Sequence, residues 1–238
     1  MLFNKVYLAL FCIALFEGCS GPNNNLYVKV ADDSLALGNS EAALIFYDKA
    51  LTNNPKNLKA KIGRVEALIN LGRLDMAMHD INDGLKIDPG CEPLLYSKGK
   101  ILLLTGNVEA ARKVFSAMPR NYKALNALGT IYDAAFNYKL AQQYYKKAIE
   151  LNDQYADAYG NLGLSMVLAG ENIYQGIEYI ERATALPGSS TAQKNNLALA
   201  YGLAGEYGKA LAVYEEIMPH QDAALKVEEL KKLSKKKR

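Results

Sequence analysis

Tyr122 to Tyr155 runs YKALNALGTIYDAAFNYKLAQQYYKKAIELNDQY. Apolar residues recur three and four apart on either side of Phe136-Asn137, which is the period of two amphipathic helices joined by a short turn. Leu128-Gly129, Tyr132, Ala141, Tyr145 and Ala148 follow one another in an order that returns elsewhere. Pro55 and Pro89 are 34 residues apart, and Gly38, Gly72 and Gly106 repeat the same spacing twice. Strand-type alternation is not sustained anywhere.

A 34-residue period is that of the tetratricopeptide helix–turn–helix repeat. Six copies can be marked, at about 24–57, 58–91, 92–121, 122–155, 156–190 and 191–219. The fold class expected is therefore all-α, a right-handed α-solenoid of about six helix pairs. Small residues at positions 8 and 20 of each copy let the two helix axes approach, by ridges packing into grooves. Large residues at 4, 7, 11 and 24 fill the space around that contact. Gly at 15 suits a left-handed turn, and Pro at 32 stops the second helix. The third copy is cut short by Pro119, and the fifth has one extra residue around Glu171–Tyr174. No helix pair buries its apolar face alone, so the copies stack and share a core.

Residues 220–238 read as a capping helix, with Ala224, Leu225, Leu230 and Leu233 as its apolar side, that dissolves into a basic tail. The last eight residues carry six positive charges. The formal net charge is +3, so the rest of the chain is −3 by difference. A basic body suited to nucleic acid is absent. The tail itself is read as solvated, with an anionic partner or lipid as the other reading.

At the other end, Lys5 precedes an apolar run from Val6 to Phe16, too short to span a bilayer and suited to a signal peptide. Gly18-Cys19 has the form of a bacterial lipobox, although Phe16 and Glu17 depart from its usual residues. The expectation is a lipoprotein signal peptide at 1–18, lipid attachment at Cys19, and a linker at 19–23. Ordinary export with cleavage nearby, or an uncleaved anchor, are the alternatives. Cys91, the thiol left after Cys12 and Cys19, reads as an incidental loop residue.

Catalytic chemistry finds no footing. His79 and His220 lie in different repeats, no Cys/His set has metal spacing, and the glycines follow the solenoid period instead of a phosphate loop. No cofactor, metal, nucleic acid or small-molecule substrate is expected. What remains is a surface lined by the first helix of each pair, where positions 2, 5, 9, 12 and 13 point. It carries Val28, Asp32, Ile62, Glu66, Tyr96 and Lys100 early, and Lys123, Asn126, Thr130, Asp133, Leu164, Asn195 and Leu199 later, with Asn161 and Asn196 beside the line. The partner-binding groove expected comprises Tyr96, Lys100, Asn126, Thr130, Asn161, Leu164, Asn195 and Leu199. Amides can hold an extended backbone and aliphatic pockets its side chains; alternatively, each Asn caps or packs within the solenoid.

Asn161-Leu162-Gly163-Leu164, Leu168-Ala169-Gly170, Ala185-Leu186-Pro187-Gly188 and the run Lys194 to Gly205 (KNNLALAYGLAG) resemble the TadD tetratricopeptide lipoproteins of tight-adherence (Flp) pilus systems. The resemblance covers specific residues only in about 156–205. It implies a non-enzymatic, lipid-anchored protein on the periplasmic face of the outer membrane. Its partner would be an outer-membrane secretin, which it helps to assemble. A pilotin-like scaffold for another envelope machine, such as a type IVa pilus, and a regulatory subunit of an envelope enzyme are the other readings.

Overall fold

The structure is a computed structural model and describes residues 24–170 and 172–236, the last four of these as backbone. The expected signal peptide, Cys19 and the linker 19–23 lie outside the described residues. Among the described residues there are thirteen helices and no strand: α1 (Asn24–Ala36), α2 (Ser40–Asn53), α3 (Leu58–Asn70), α4 (Leu74–Ile87), α5 (Glu92–Leu104), α6 (Val108–Ser116), α7 (Tyr122–Ala134), α8 (Tyr138–Leu151), α9 (Ala156–Ala169), α10 (Ile173–Ala185), α11 (Thr191–Leu203), α12 (Tyr207–Glu215) and α13 (His220–Lys236). The fold is an all-α solenoid of helix pairs. It divides into two compact bodies between Gly106 and Asn107, within the third pair.

Local chemistry marks the helix starts. Side chains of Asn39, Asn57, Asn121, Asn137 and Asn172 accept hydrogen bonds from backbone N–H groups in the first turns of α2, α3, α7, α8 and α10. Ser190 and Gln193 form a reciprocal capping box on α11. Each such cap is worth about 1 kcal/mol. Between the helices of a pair, Gly38, Gly72, Gly106, Gly170 and Gly205 all have φ between +71° and +84°, as position 15 requires. In the fourth pair that place is held by Phe136, at φ +58° and 79% exposed.

In the first body α1 packs on α2, α3 on α4, and the first helices α1, α3 and α5 also touch in succession. Its core gathers Tyr47, Leu68, Ile81 and Leu94, each buried. Ala31, Ala43 and Ala77 are fully enclosed at the helix crossings. Val65 stands at position 8 of the second pair and is equally buried, so that crossing accepts a branched side chain. Cys91 precedes α5 but is 6% exposed and belongs to this core; it is a packed residue, where the Pro-Gly context had suggested an incidental loop.

In the second body the succession is α7, α9, α11 and α13, each touching the next, with α8, α10 and α12 behind them. α6 ends at Ser116, three residues before Pro119, since the residue before a proline resists helical geometry. In the fifth pair Gly163 of α9 faces Gly176 of α10. A Cβ on Gly163 would sit 2.3 Å from the Gly176 carbonyl oxygen. The extra residue between the helices moves Gly176 into the position-20 role. α13 packs on α11 and α12, in the place a further first helix would take. Its buried side is Ala223, Val227 and Leu230, spaced for one helix face, and Leu230 lies directly over Gly202. The expected apolar side of Ala224 and Leu225 is therefore corrected: Leu225 is 65% exposed. The helix also continues to Lys236, through residues read from charge alone as a dissolving tail. Helix propensity of Lys is high, and α13 is already anchored at Leu230.

Candidate functional site

The first helices of both bodies carry polar residues, but many are committed to one another. In the second body Asn126 is buried, and its side-chain oxygen accepts a hydrogen bond from Asn161 Nδ2 at 3.0 Å. Asp133 accepts from Ser165 Oγ at 2.7 Å and from Tyr145 OH at 2.8 Å. Gln193 donates to Asp157 at 2.5 Å. These bonds tie α7 to α9 and α9 to α11. Burial raises the pKa of the Asp133 carboxyl, against the lowering effect of the two donors.

Other expected groove residues are more open. Thr130 and Asn195 are exposed and, among the described residues, bond to carbonyls of their own helices, Ala127 and Thr191. Leu164 and Leu199 are half-buried and pack on the core of the second body. In the first body Tyr96 is half-buried and Lys100 exposed on α5. The structure thus joins Asn126 to Asn161 inside the solenoid. Of the expected groove residues in the second body, it leaves Thr130, Asn195, Leu164 and Leu199 accessible.

The first body has a cleft of about 380 Å³ between α1, α2 and α3. The hydroxyl end of the Tyr47 ring lies against Gly63, where any Cβ would fall 2.2 Å from the phenol. Tyr47 OH donates to Asp32 Oδ1 at 2.7 Å, and Lys59 pairs with Asp32 Oδ2 at 2.8 Å. Burial, Asp32 and Glu66 together raise the Tyr47 pKa far above its ordinary value, so the phenol stays a donor. Outside the cleft, Arg64 clamps the buried Asp80 through Nε and Nη2 at 2.6 and 2.7 Å and reaches Asp48 through Nη1. Sequence reasoning placed Asp32, Ile62 and Glu66 on this surface but missed Tyr47 and Lys59. Among the described residues, no group of three or more His, Cys, Asp or Glu is arranged to hold a metal, and no helix is long and apolar enough to cross a membrane.

The family model described as tetratricopeptide repeat matches residues 26–57 and 122–155, two stretches that coincide with helix pairs α1–α2 and α7–α8. Both stretches are tetratricopeptide repeats, and the fold is that of a tetratricopeptide solenoid. The tetratricopeptide repeat and J domain-containing co-chaperone DNJ1 of Fusarium oxysporum f. sp. lycopersici is 32% identical over 91 residues, 38% of this chain and 17% of that protein. The chain spans less than a fifth of the length of the curated relatives it matches. Among solved structures, PilW, a widely conserved type IV pilus biogenesis factor, superposes with a TM-score of 0.69 at 18% identity, covering 87% of this chain and 100% of that one. PilF of Pseudomonas aeruginosa gives a TM-score of 0.69 at 15% identity, covering 87% and 96%. These likenesses establish the tetratricopeptide fold.

Proposed function

We propose that this tetratricopeptide protein is a lipid-anchored assembly factor of an envelope pilus machine, acting on the secretin of a tight-adherence system. The observation that carries the reading is that the chain matches the fold of one type IV pilus biogenesis factor along that factor's whole length. The TadD-like residues at 156–205 and the Gly18-Cys19 pair support it independently. In this reading Cys19 bears the acyl chains. These hold the protein at the periplasmic face of the outer membrane, since each buried methylene adds about 0.8 kcal/mol. The first-helix surface around Thr130, Asn195, Leu164 and Leu199 takes a segment of the secretin.

The test is a Thr130→Arg/Asn195→Arg variant in cells. Both side chains are exposed, so the fold should persist by circular dichroism. Secretin multimers resistant to heat, and surface pili, should be lost. A Cys19→Ala variant should lose palmitate label and outer-membrane recovery. Normal multimers in the folded double variant would remove the surface from the mechanism, and unchanged fractionation of Cys19→Ala would remove the anchor.

A further inference from the structure

The cleft of the first body has an apolar floor and an unbalanced rim. Leu35 of α1, Ile62 of α3 and the Tyr47 ring form the floor. At the rim, both oxygens of Asp32 are engaged, one by Tyr47 and one by Lys59. Glu66, one helical turn beyond Ile62 and exposed, is left facing the cleft with no ion pair among the described residues. Of the other two cations on this stretch of α3, Arg64 is held by Asp80 and Asp48, and Lys61 lies within electrostatic reach of Asp83 on α4. The site therefore offers a hydrophobic slot that ends at one uncompensated carboxylate.

We propose that this cleft receives a lysine side chain from a segment of a bound protein, its methylenes along Leu35, Ile62 and the Tyr47 ring and its ammonium at Glu66. The match is one of charge and shape together. A purely apolar side chain would fill the floor but desolvate Glu66 without a partner. An acidic one would meet both Asp32 and Glu66. The unbranched four-carbon stem of lysine suits the apolar floor, and its compact ammonium needs only the single Glu66 carboxylate. The raised pKa of Tyr47, to which Glu66 contributes, accords with that carboxylate's charge reaching the cleft floor.

The inference rests on the reading of the first helices as a protein-binding surface. Its test uses the purified full-length chain in detergent, with no secretin present, so it can fail while the cellular test succeeds, and the reverse. The probe is a fluorescein-labelled nonapeptide of alanine, serine and leucine with lysine at its centre, compared with peptides carrying norleucine or glutamate there. Anisotropy should show the lysine peptide binding about fivefold more tightly than the norleucine peptide at low salt, the upper range for a partly exposed ion pair. The glutamate peptide should bind most weakly. Raising salt to about 0.5 M should shrink the preference, as screening requires. Glu66→Gln should abolish it with an unchanged melt, and Glu178→Gln, an exposed acid on α10, should keep it. Equal affinity for lysine and norleucine, survival of the preference in Glu66→Gln, or no binding by any peptide at about 1 mM, the weak end of the affinity scale, would each overturn the proposal.

Discussion

Gly163 offers a measurable test of the helix-crossing argument. A methyl group there would lie 2.3 Å from the Gly176 carbonyl oxygen, 2.6 Å from Ile180 Cγ1 and 3.0 Å from the Ile180 nitrogen. Two of these are backbone atoms, so no rotamer change relieves the contact and α9 and α10 must move apart. Overpacking costs about 1–3 kcal/mol, and the backbone partners put this case at the upper end, near 3. Alanine also gains about 1 kcal/mol over glycine in a helix interior. Gly163→Ala should therefore lose about 2 kcal/mol, which for a chain of this size is a fall in melting temperature of roughly 4–8 °C. Because neighbouring repeats share the strain unequally, hydrogen exchange should speed up first in α9 and α10. Gly208→Ala is the matched control: it too lies in a helix, α12, but nothing stands within 4 Å of its added methyl. It should be neutral or stabilising. Equal melts for Gly163→Ala and the native chain, or equal losses for the two variants, would refute the reasoning.

Three further outcomes follow from named contacts. Phe136→Gly should raise stability by about 1 kcal/mol in a thermal melt, because a left-handed non-glycine residue costs roughly 1–2 kcal/mol and this ring is largely in water; a loss would mean its edge contact with Tyr138 outweighs the strain. Asp80→Ala should destabilise toward the lower end of about 3–5 kcal/mol, since Arg64 keeps Asp48 at 2.7 Å and is partly open to water; chemical denaturation of Asp80→Leu/Arg64→Met should show a smaller loss. Asp133 has its folded-state pKa raised by burial, so its protonation adds stability that is present below the ordinary carboxylate range and lost as pH rises through the folded value. The native chain should thus gain on Asp133→Asn as pH falls from 7 to 4, and a difference in melting temperature that ignores pH would contradict this.

What the sequence disclosed, it disclosed through repetition. The left-handed glycines and the alanines at helix crossings answer to sterics that act within a few residues or one helix pair, and five of the six copies carry the turn glycine. Phe136 breaks the turn rule, yet the pair forms, because the flanking helices over-determine the turn. The polar contacts were not visible in this way. Asn126 and Asn161 are 35 residues apart, Asp133 and Ser165 32, and Asp157 and Gln193 36. Each partner lies about one period away, so reading a repeat in isolation leaves Asn126 looking like a free groove amide. Scanning polar residues for a complement one period on would have found all three. Tyr47 stands at position 24 of its copy, where a large residue reads simply as core. Its hydroxyl bond to Asp32 depends on Gly63 in the following repeat, which lies off the regular pattern. On α13 the sequence points to Leu230 correctly but to Ala224 and Leu225 in place of Ala223 and Val227, because its first turns, with Ala223, Ala224, Leu225 and Val227, admit two registers and only the seat of Leu230 over Gly202 selects between them.

The three cross-repeat bonds differ in kind: amide to amide, hydroxyl to carboxylate, amide to carboxylate. A chain made of near-copies carries a hazard during synthesis, because each first helix presents an apolar side that any other could cover. Stacking α7 on α11 while skipping α9 would bury comparable hydrocarbon and would still offer Asn126 an asparagine, Asn196, but it would set Asp133 against Ala200 in place of Ser165 and Gln193 against Lys123 in place of Asp157. A buried polar group that loses its partner costs about 1–3 kcal/mol, and this wrong pairing costs two such bonds. The polar residues thus act as addresses, telling otherwise interchangeable neighbours apart and turning a set of similar traps into a single favoured order of assembly.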